Sequence, residues 1–236
     1  LVYGELGRYP IYLNSYVKCI KFWLSLTRMD EHRLPCKAYK TLRILDNNGK
    51  KTWASNVRQC LNSYGFAFVW DNQGVQSIPG FLKCFKQRII DCRWQDWHDH
   101  MYTSDRFAQY RLFKASHIIE PYIGLDMNRY VRSALTKFRF GVSDIVSHCF
   151  RYSRPNLHDN DALCRLCRTG KEDEIHFLFC CPVLHDLRVK LIHPKYYSKP
   201  CSFRLVLLLS IRNEKALINL ARYVYEANKR LRIAIS

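Results

Sequence analysis

The chain is 236 residues long, 48% hydrophobic and 14% aromatic, and its 38 Lys and Arg against 20 Asp and Glu leave a formal net charge of +18. That apolar content excludes a disordered chain and allows a sizeable core, in one large domain or in a helical domain with a small appended module. The charge calls for a polyanionic partner; nucleic acid is favoured over an anionic membrane, because no stretch approaches the roughly 18 apolar residues of a spanning helix and Leu205 to Leu209 is far too short.

Eleven cysteines, an odd number with no framework and no signal peptide ahead of them, indicate a reducing compartment, the cytoplasm or nucleus. An opening Leu1 in place of Met is what a piece of a longer protein would show.

In chain order, the spacing predicts a mainly α fold. Tyr12, Tyr16, Ile20 and Trp23 mark one face of a helix over 11–29. A second helix follows Pro35 and stops near Gly49, and a third runs from a Thr52 cap through Val57 and Leu61 to Gly65. Phe66 to Trp70 reads as a strand or a buried turn. A long helix after Pro79 turns Phe81, Phe85, Ile89 and Cys92 inward, and another runs from a Ser104 cap to Ala115. Asp126 is expected to cap a helix with Met127, Tyr130, Val131, Ala134, Leu135 and Phe138 on one side and Arg129, Arg132 and Arg139 on the other. Residues 153–161 form a polar linker. Beyond them come helices over 182–192 and 203–211 and, from an Asn213 cap, to the C-terminus; Lys215, Arg222 and Lys229 recur every seven residues on the last. The expected divisions are a helical domain (1–125), a basic helix with its linker (126–160), a finger (161–185) and basic C-terminal helices (186–236).

The finger rests on Cys164-Arg-Leu-Cys167, eight residues, His176, four residues and Cys181. Two Cys separated by two residues form a knuckle whose thiolates meet one metal ion, and a spaced His and Cys complete a tetrahedral Cys3His set; a structural zinc is the expected ion. Only one of Cys180 and Cys181 can face it. Cys181 is the choice, with Cys180 pointing into the core. His185 competes with His176, whereas His158, six residues ahead of Cys164, is a poor ligand. Ordinary buried thiols are the alternative, and they account less well for this spacing.

The order Lys137-Phe-Arg-Phe-Gly141, Cys164-x-x-Cys167, Glu174-Ile-His176-Phe-Leu and Cys181-Pro182 resembles the zinc-binding region beyond the polymerase core of LINE-type (non-LTR) retrotransposon reverse transcriptases. Gly4-Glu-Leu-Gly-Arg-Tyr-Pro10, Asp91-Cys-Arg-Trp-Gln-Asp-Trp97 and Pro194-Lys-Tyr-Tyr extend the resemblance over most of the chain. It implies RNA or DNA as partner and a polymerase core upstream in the same polyprotein. The eight residues between Cys167 and His176 exceed the four of the retroviral nucleocapsid knuckle, so that knuckle's binding mode does not carry over.

Charge separates the finger from its flanks. Residues 161–185 hold three basic and four acidic side chains, and a zinc ion with three thiolates adds another negative unit, whereas residues 186–236 hold eleven basic and three acidic ones. The zinc is therefore expected to staple basic helices, with Arg129, Arg132, Arg139, Lys195, Lys215, Arg222 and Lys229 as phosphate contacts. Tyr196 and Tyr197 either stack on unpaired bases or pack on the preceding helix. A zinc-stapled protein-interaction module is the alternative reading. Catalysis lacks support. The polymerase's paired aspartates are absent, since no Asp-Asp dipeptide occurs, and His193-Pro194-Lys195 lacks a nuclease carboxylate. Asp96, His98, Asp99 and His100 are expected to form a solvated face.

Overall fold

A computed structural model describes residues 2–104, 107–145 and 163–235, which are mainly helical. In chain order the α-helices are α1 (Val2–Leu6), α2 (Tyr12–Thr27), α3 (Leu34–Asn47), α4 (Trp53–Ser63), α5 (Ala67–Asp71), α6 (Ile78–Thr103), α7 (Tyr110–Phe113), α8 (Arg129–Arg139), α9 (His185–Leu191), α10 (Pro194–Tyr197), α11 (Ser202–Leu209) and α12 (Glu214–Ile235). The chain forms two compact units, Tyr9–His98 and Leu1–Arg8 with Asp99–Ser236. The linker expected over 153–161, with His158, lies outside the described residues.

In the Tyr9–His98 unit, Ile20, Trp23 and Leu24 of α2 meet Tyr39 of α3, Val57 and Leu61 of α4, and Phe85 and Ile89 of α6. The Trp23 indole stacks on Trp70 at 5.6 Å between centroids and donates its N–H to the Tyr39 hydroxyl at 2.9 Å. An aromatic buried this deeply needs a partner for its polar tip, and this one has it. Thr52 starts α4 as expected, its N–H donating to Ser55 Oγ at 2.9 Å. Phe66 to Trp70 is neither strand nor plain turn: α5 covers most of it, and Val69 and Trp70 are buried. Tyr12 and Tyr16, expected on the inner face, are exposed and in ring contact with each other, with Arg93 over the Tyr12 ring.

The other unit is built on α12. Leu217, Leu220, Ala221, Val224, Ala227 and Leu231 are buried at helical spacing and pack with Leu135 and Phe138 of α8 and with Leu205, Leu208 and Leu209 of α11. Cys164, Phe177, Leu178, Cys181 and Leu184 of the finger pack into that same core. The cap of α8 is Asn128 rather than Asp126: Asn128 Oδ1 accepts from the Tyr130 N–H at 2.8 Å. The helix expected over 104–115 is only α7 among the described residues. Asn213 does cap α12, accepting from the Ala216 N–H at 3.0 Å.

Arg139 holds this unit together from inside. Its side chain is 2% exposed and reaches Glu5 at 3.2 Å, Glu120 at 2.8 Å and the Leu209 carbonyl at 2.6 Å. Glu5 is as deeply buried and accepts also from the hydroxyls of Tyr110 and Tyr122, while Lys114 donates to Glu120 at 2.6 Å. Burial, and then the Glu5 carboxylate, push both phenols well above their ordinary range, so they remain donors. Arg139 was expected on the outer, phosphate-binding side of α8. It lies instead in the inward stripe with Leu135 and Phe138, at i, i+3 and i+4, because acids from two other segments neutralise it there. Arg139→Ala strands Glu5 as a buried charge and should cost roughly 3–5 kcal/mol in denaturant unfolding. A variant as stable as the parent would show that the network contributes nothing.

Candidate metal centre

Cys164, Cys167, His176 and Cys181 converge, their ligand atoms all lying within 4.8 Å of one another. Among the described residues this is the one cluster of at least three such side chains able to hold a metal ion. The Cys164 and Cys181 sulfurs are 3.9 Å apart, and Cys167 Sγ is 3.2 Å from His176 Nε2. A tetrahedral ion with metal–sulfur bonds of about 2.3 Å and metal–nitrogen bonds of about 2.0–2.1 Å requires separations of roughly 3.8 and 3.6 Å. The set therefore fits one ion with small adjustments.

The knuckle is made by a tight return of the chain. Leu163 pairs with Lys171 as an antiparallel bridge, the Cys164 N–H donates to the Gly170 carbonyl at 2.7 Å, and Arg168, at φ +59°, turns the chain between them. The hydrogen bond from the Cys181 thiol, followed by backbone N–H groups of Cys167 and Leu166, holds the Cys164 thiol down at about 5 despite its burial. The Cys181 thiol is pushed up by the same contact, which leaves a proton between the two sulfurs as the competitor of a cation. A bound cation would displace it. Glycine is required at position 170 for space: a Cβ there would sit 2.8 Å from His176 Nδ1 and 2.9 Å from Cε1.

The second half of the site depends on a widened turn over His176–Cys180. Residues five apart on an α-helix point about 140° away from each other, which would separate His176 from Cys181. Here the Cys181 N–H reaches the His176 carbonyl at 2.8 Å, an i to i+5 bond that brings the two ligands onto one side. The Asp173 side chain starts this segment, accepting from the His176 N–H at 2.8 Å. Widening the turn just before Pro182, which has no N–H, leaves the carbonyls of Phe177 and Leu178 without helical donors. Tyr223 of α12 donates its hydroxyl to Phe177 at 2.6 Å, and Arg188 of α9 donates to Leu178 at 2.9 Å and to Cys181 at 2.8 Å. Each orphaned carbonyl is thus a tie between the metal loop and a C-terminal helix. A bidentate pair, Arg230 of α12 with Asp186 of α9 at 2.6 Å, joins those two helices to each other and holds the Asp186 carboxyl down to about 2.

Cys181 is completely buried and Cys180 is exposed, so Cys180 faces away from the cluster but towards solvent and not, as expected, the core. His185 is exposed and outside the cluster. Asp96 is paired with Arg93 along α6 at 2.9 Å. Of the expected phosphate contacts, Arg129, Lys195, Lys215, Arg222 and Lys229 are exposed, and Arg132 is half-buried with its guanidinium on the carbonyls of Leu125 and Met127. Tyr196 and Tyr197 are half-buried against the core, with Lys195 over the Tyr196 ring at 4.9 Å. Arg165 makes a close ion pair with buried Glu172 at 2.6 Å. Reasoning from the sequence missed Lys137, exposed on α8 beside Lys229 of α12. The signal was the i, i+3, i+7 series Tyr130, Ser133 and Lys137, hidden because Tyr130 was assigned to the core; it is 56% exposed.

No protein-family model, curated protein or solved structure matches the chain. The class of site is therefore defined by its own geometry, a Cys3His cluster able to hold one metal ion inside a helical core.

Metal content measured on purified protein should fall on Cys164→Ser, Cys181→Ser or His176→Ala and survive Cys180→Ser and His185→Ala; the reverse ranking within either pair overturns the ligand set. Gly170→Ala, which touches no ligand bond, should weaken metal binding on the order of tenfold by displacing the imidazole. Tyr223→Phe leaves the Phe177 carbonyl unpaired and should cost about 1–3 kcal/mol in unfolding while the metal is retained.

Proposed function

We propose that the chain is the nucleic-acid-binding C-terminal region of a LINE-type non-LTR retrotransposon reverse transcriptase, holding template RNA or target DNA while a polymerase core elsewhere in the polyprotein carries out target-primed synthesis. The ion is zinc in a structural role: three thiolates and an imidazole, all supplied by the protein, suit that metal and leave no open position for a substrate. The observation that carries the reading is the closure of this Cys3His set in the motif order of that family, inside a core whose longest C-terminal helix presents Lys215, Arg222 and Lys229 to solvent. The same geometry supports a staple rather than a reader. Glu172 occupies Arg165, so the metal loop offers little free positive charge, while the ties from Tyr223 and Arg188 hold it against the basic helices.

Phosphate contact gives affinity without sequence information and a steep dependence on salt. Replacing Lys215, Arg222 and Lys229 by Gln should lower the slope of log K against log salt by roughly 0.7–0.9 for each phosphate no longer neutralised, with zinc content and circular dichroism unchanged. Arg165→Gln with Arg168→Gln should do much less. Dominance of that second pair in a folded protein would make the metal loop the reader, and salt-insensitive binding to an acidic protein would favour the interaction-module alternative. Primer-extension and nicking assays on this chain alone, with magnesium or manganese, should show no product; activity that vanishes with Asp96→Ala or Asp99→Ala would overturn the non-catalytic role.

A further inference from the structure

A cleft of about 240 Å³ opens between α8 and α12, with Ser143 and Asp144 at its edge. It is smaller than the roughly 300–1,000 Å³ pockets that hold drug-sized ligands, which limits an occupant to about one base with its sugar. Two phenol rings line it, Tyr130 from α8 and Tyr225 from α12, together with Lys137, Lys229, Arg232 and Asn228. The Arg129 guanidinium lies 4.6 Å over the Tyr130 ring and donates to its hydroxyl at 2.6 Å. The carboxylate of Asp144 is engaged by Arg232 at 2.6 Å, while Lys137 and Lys229 are exposed.

Asn228 is the anomaly. It is 6% exposed on the inner side of α12, and its Oδ1 is buried without a hydrogen-bond partner. A leucine of similar size would pack at that position without this cost, and because Asn228 lines the cleft, a small turn of its side chain would offer the amide to a group bound there. Water would satisfy the amide but would use neither the tyrosines nor the lysines.

We propose that this cleft is a subsite for one unstacked nucleotide of a single strand: Tyr130 and Tyr225 take the face of the base, Asn228 its hydrogen-bonding edge, and Lys137 and Lys229 the adjoining phosphates. The inference rests on the nucleic-acid reading above and adds to it a preference for single strands with bases over bare polyanions. Aromatic stacking supports such a preference for any base, since every base has a π face. The helical phosphate contacts alone do not supply it.

The test compares the full chain, loaded with zinc, on an oligothymidylate and on an abasic deoxyribose-phosphate polymer of the same length, by fluorescence anisotropy over a salt series. The parent should bind the base-bearing strand about tenfold more tightly at equal salt. Asn228→Leu should remove most of that preference while leaving the melting temperature unchanged or higher. Tyr130→Ser, at an exposed position that does not endanger the fold, should do the same, and neither variant should flatten the salt slope. Equal, salt-dependent affinity of the parent for both polymers overturns the subsite and leaves the nucleic-acid reading standing. Failure of both polymers to bind overturns both. A preference that persists in Tyr130→Ser and Asn228→Leu places base recognition elsewhere and also overturns the subsite.

Discussion

The five-residue interval from His176 to Cys181 is the constraint on which the C-terminal unit depends. An α-helix cannot turn both residues to one ion, so the chain widens its turn, and Pro182 ensures that the carbonyls so freed find no donor within the segment. Their donors come from α9 and α12. Ligand geometry and helix packing are thereby the same problem: the arrangement that closes the metal cluster also fixes where Tyr223 and Arg188 must stand. Phe177, ring-stacked on Phe138 and edge-on to Tyr223, fills the space between α8 and α12 at that point. The cluster is part of the core, so the binding free energy of an ion held there would be folding free energy.

How much was legible in the sequence varied with the physics behind each feature. Local signals read well: the Thr52 and Asn213 caps, the buried stripe of α12 and the convergence of Cys164, Cys167, His176 and Cys181 all follow from short spacings whose meaning does not depend on distant segments. Signals that depend on what covers a surface read poorly. Helical periodicity put Arg139 beside Arg132, but periodicity cannot say that Glu5 and Glu120 arrive to bury one of them. Tyr130 was misplaced for the same reason in reverse, since its phenol can serve a core or a surface and the sequence does not distinguish the two. Cys180 was sent inward, because the widened turn that swings it to solvent, outside the cluster, has no signature beyond the Cys and His spacing itself.

The basic residues of the C-terminal unit divide into two populations. Lys114, Arg139 and Arg188 are buried, each hydrogen-bonded to carboxylates or carbonyls, and they act as internal fasteners. Lys195, Lys215, Arg222 and Lys229 remain in water. A formal charge of +18 therefore overstates the charge available to a partner and understates how specifically it is placed. The metal loop falls between the two: Arg165 is partly exposed yet anchored to Glu172.

The pairing of Glu5 with Arg139 also bears on the order of events during synthesis. The two residues are 134 positions apart, and the whole Tyr9–His98 unit lies between their segments in the chain. At about 5–20 residues per second, Glu5 leaves the ribosome roughly 7–27 s before the guanidinium it is to bury against. Through that interval the intervening unit has all of its own residues and can complete its core, while Glu5 still lacks the guanidinium it pairs with. The C-terminal unit is thus discontinuous along the chain: its first strap is made first and fastened late, with an already folded body carried in the loop between.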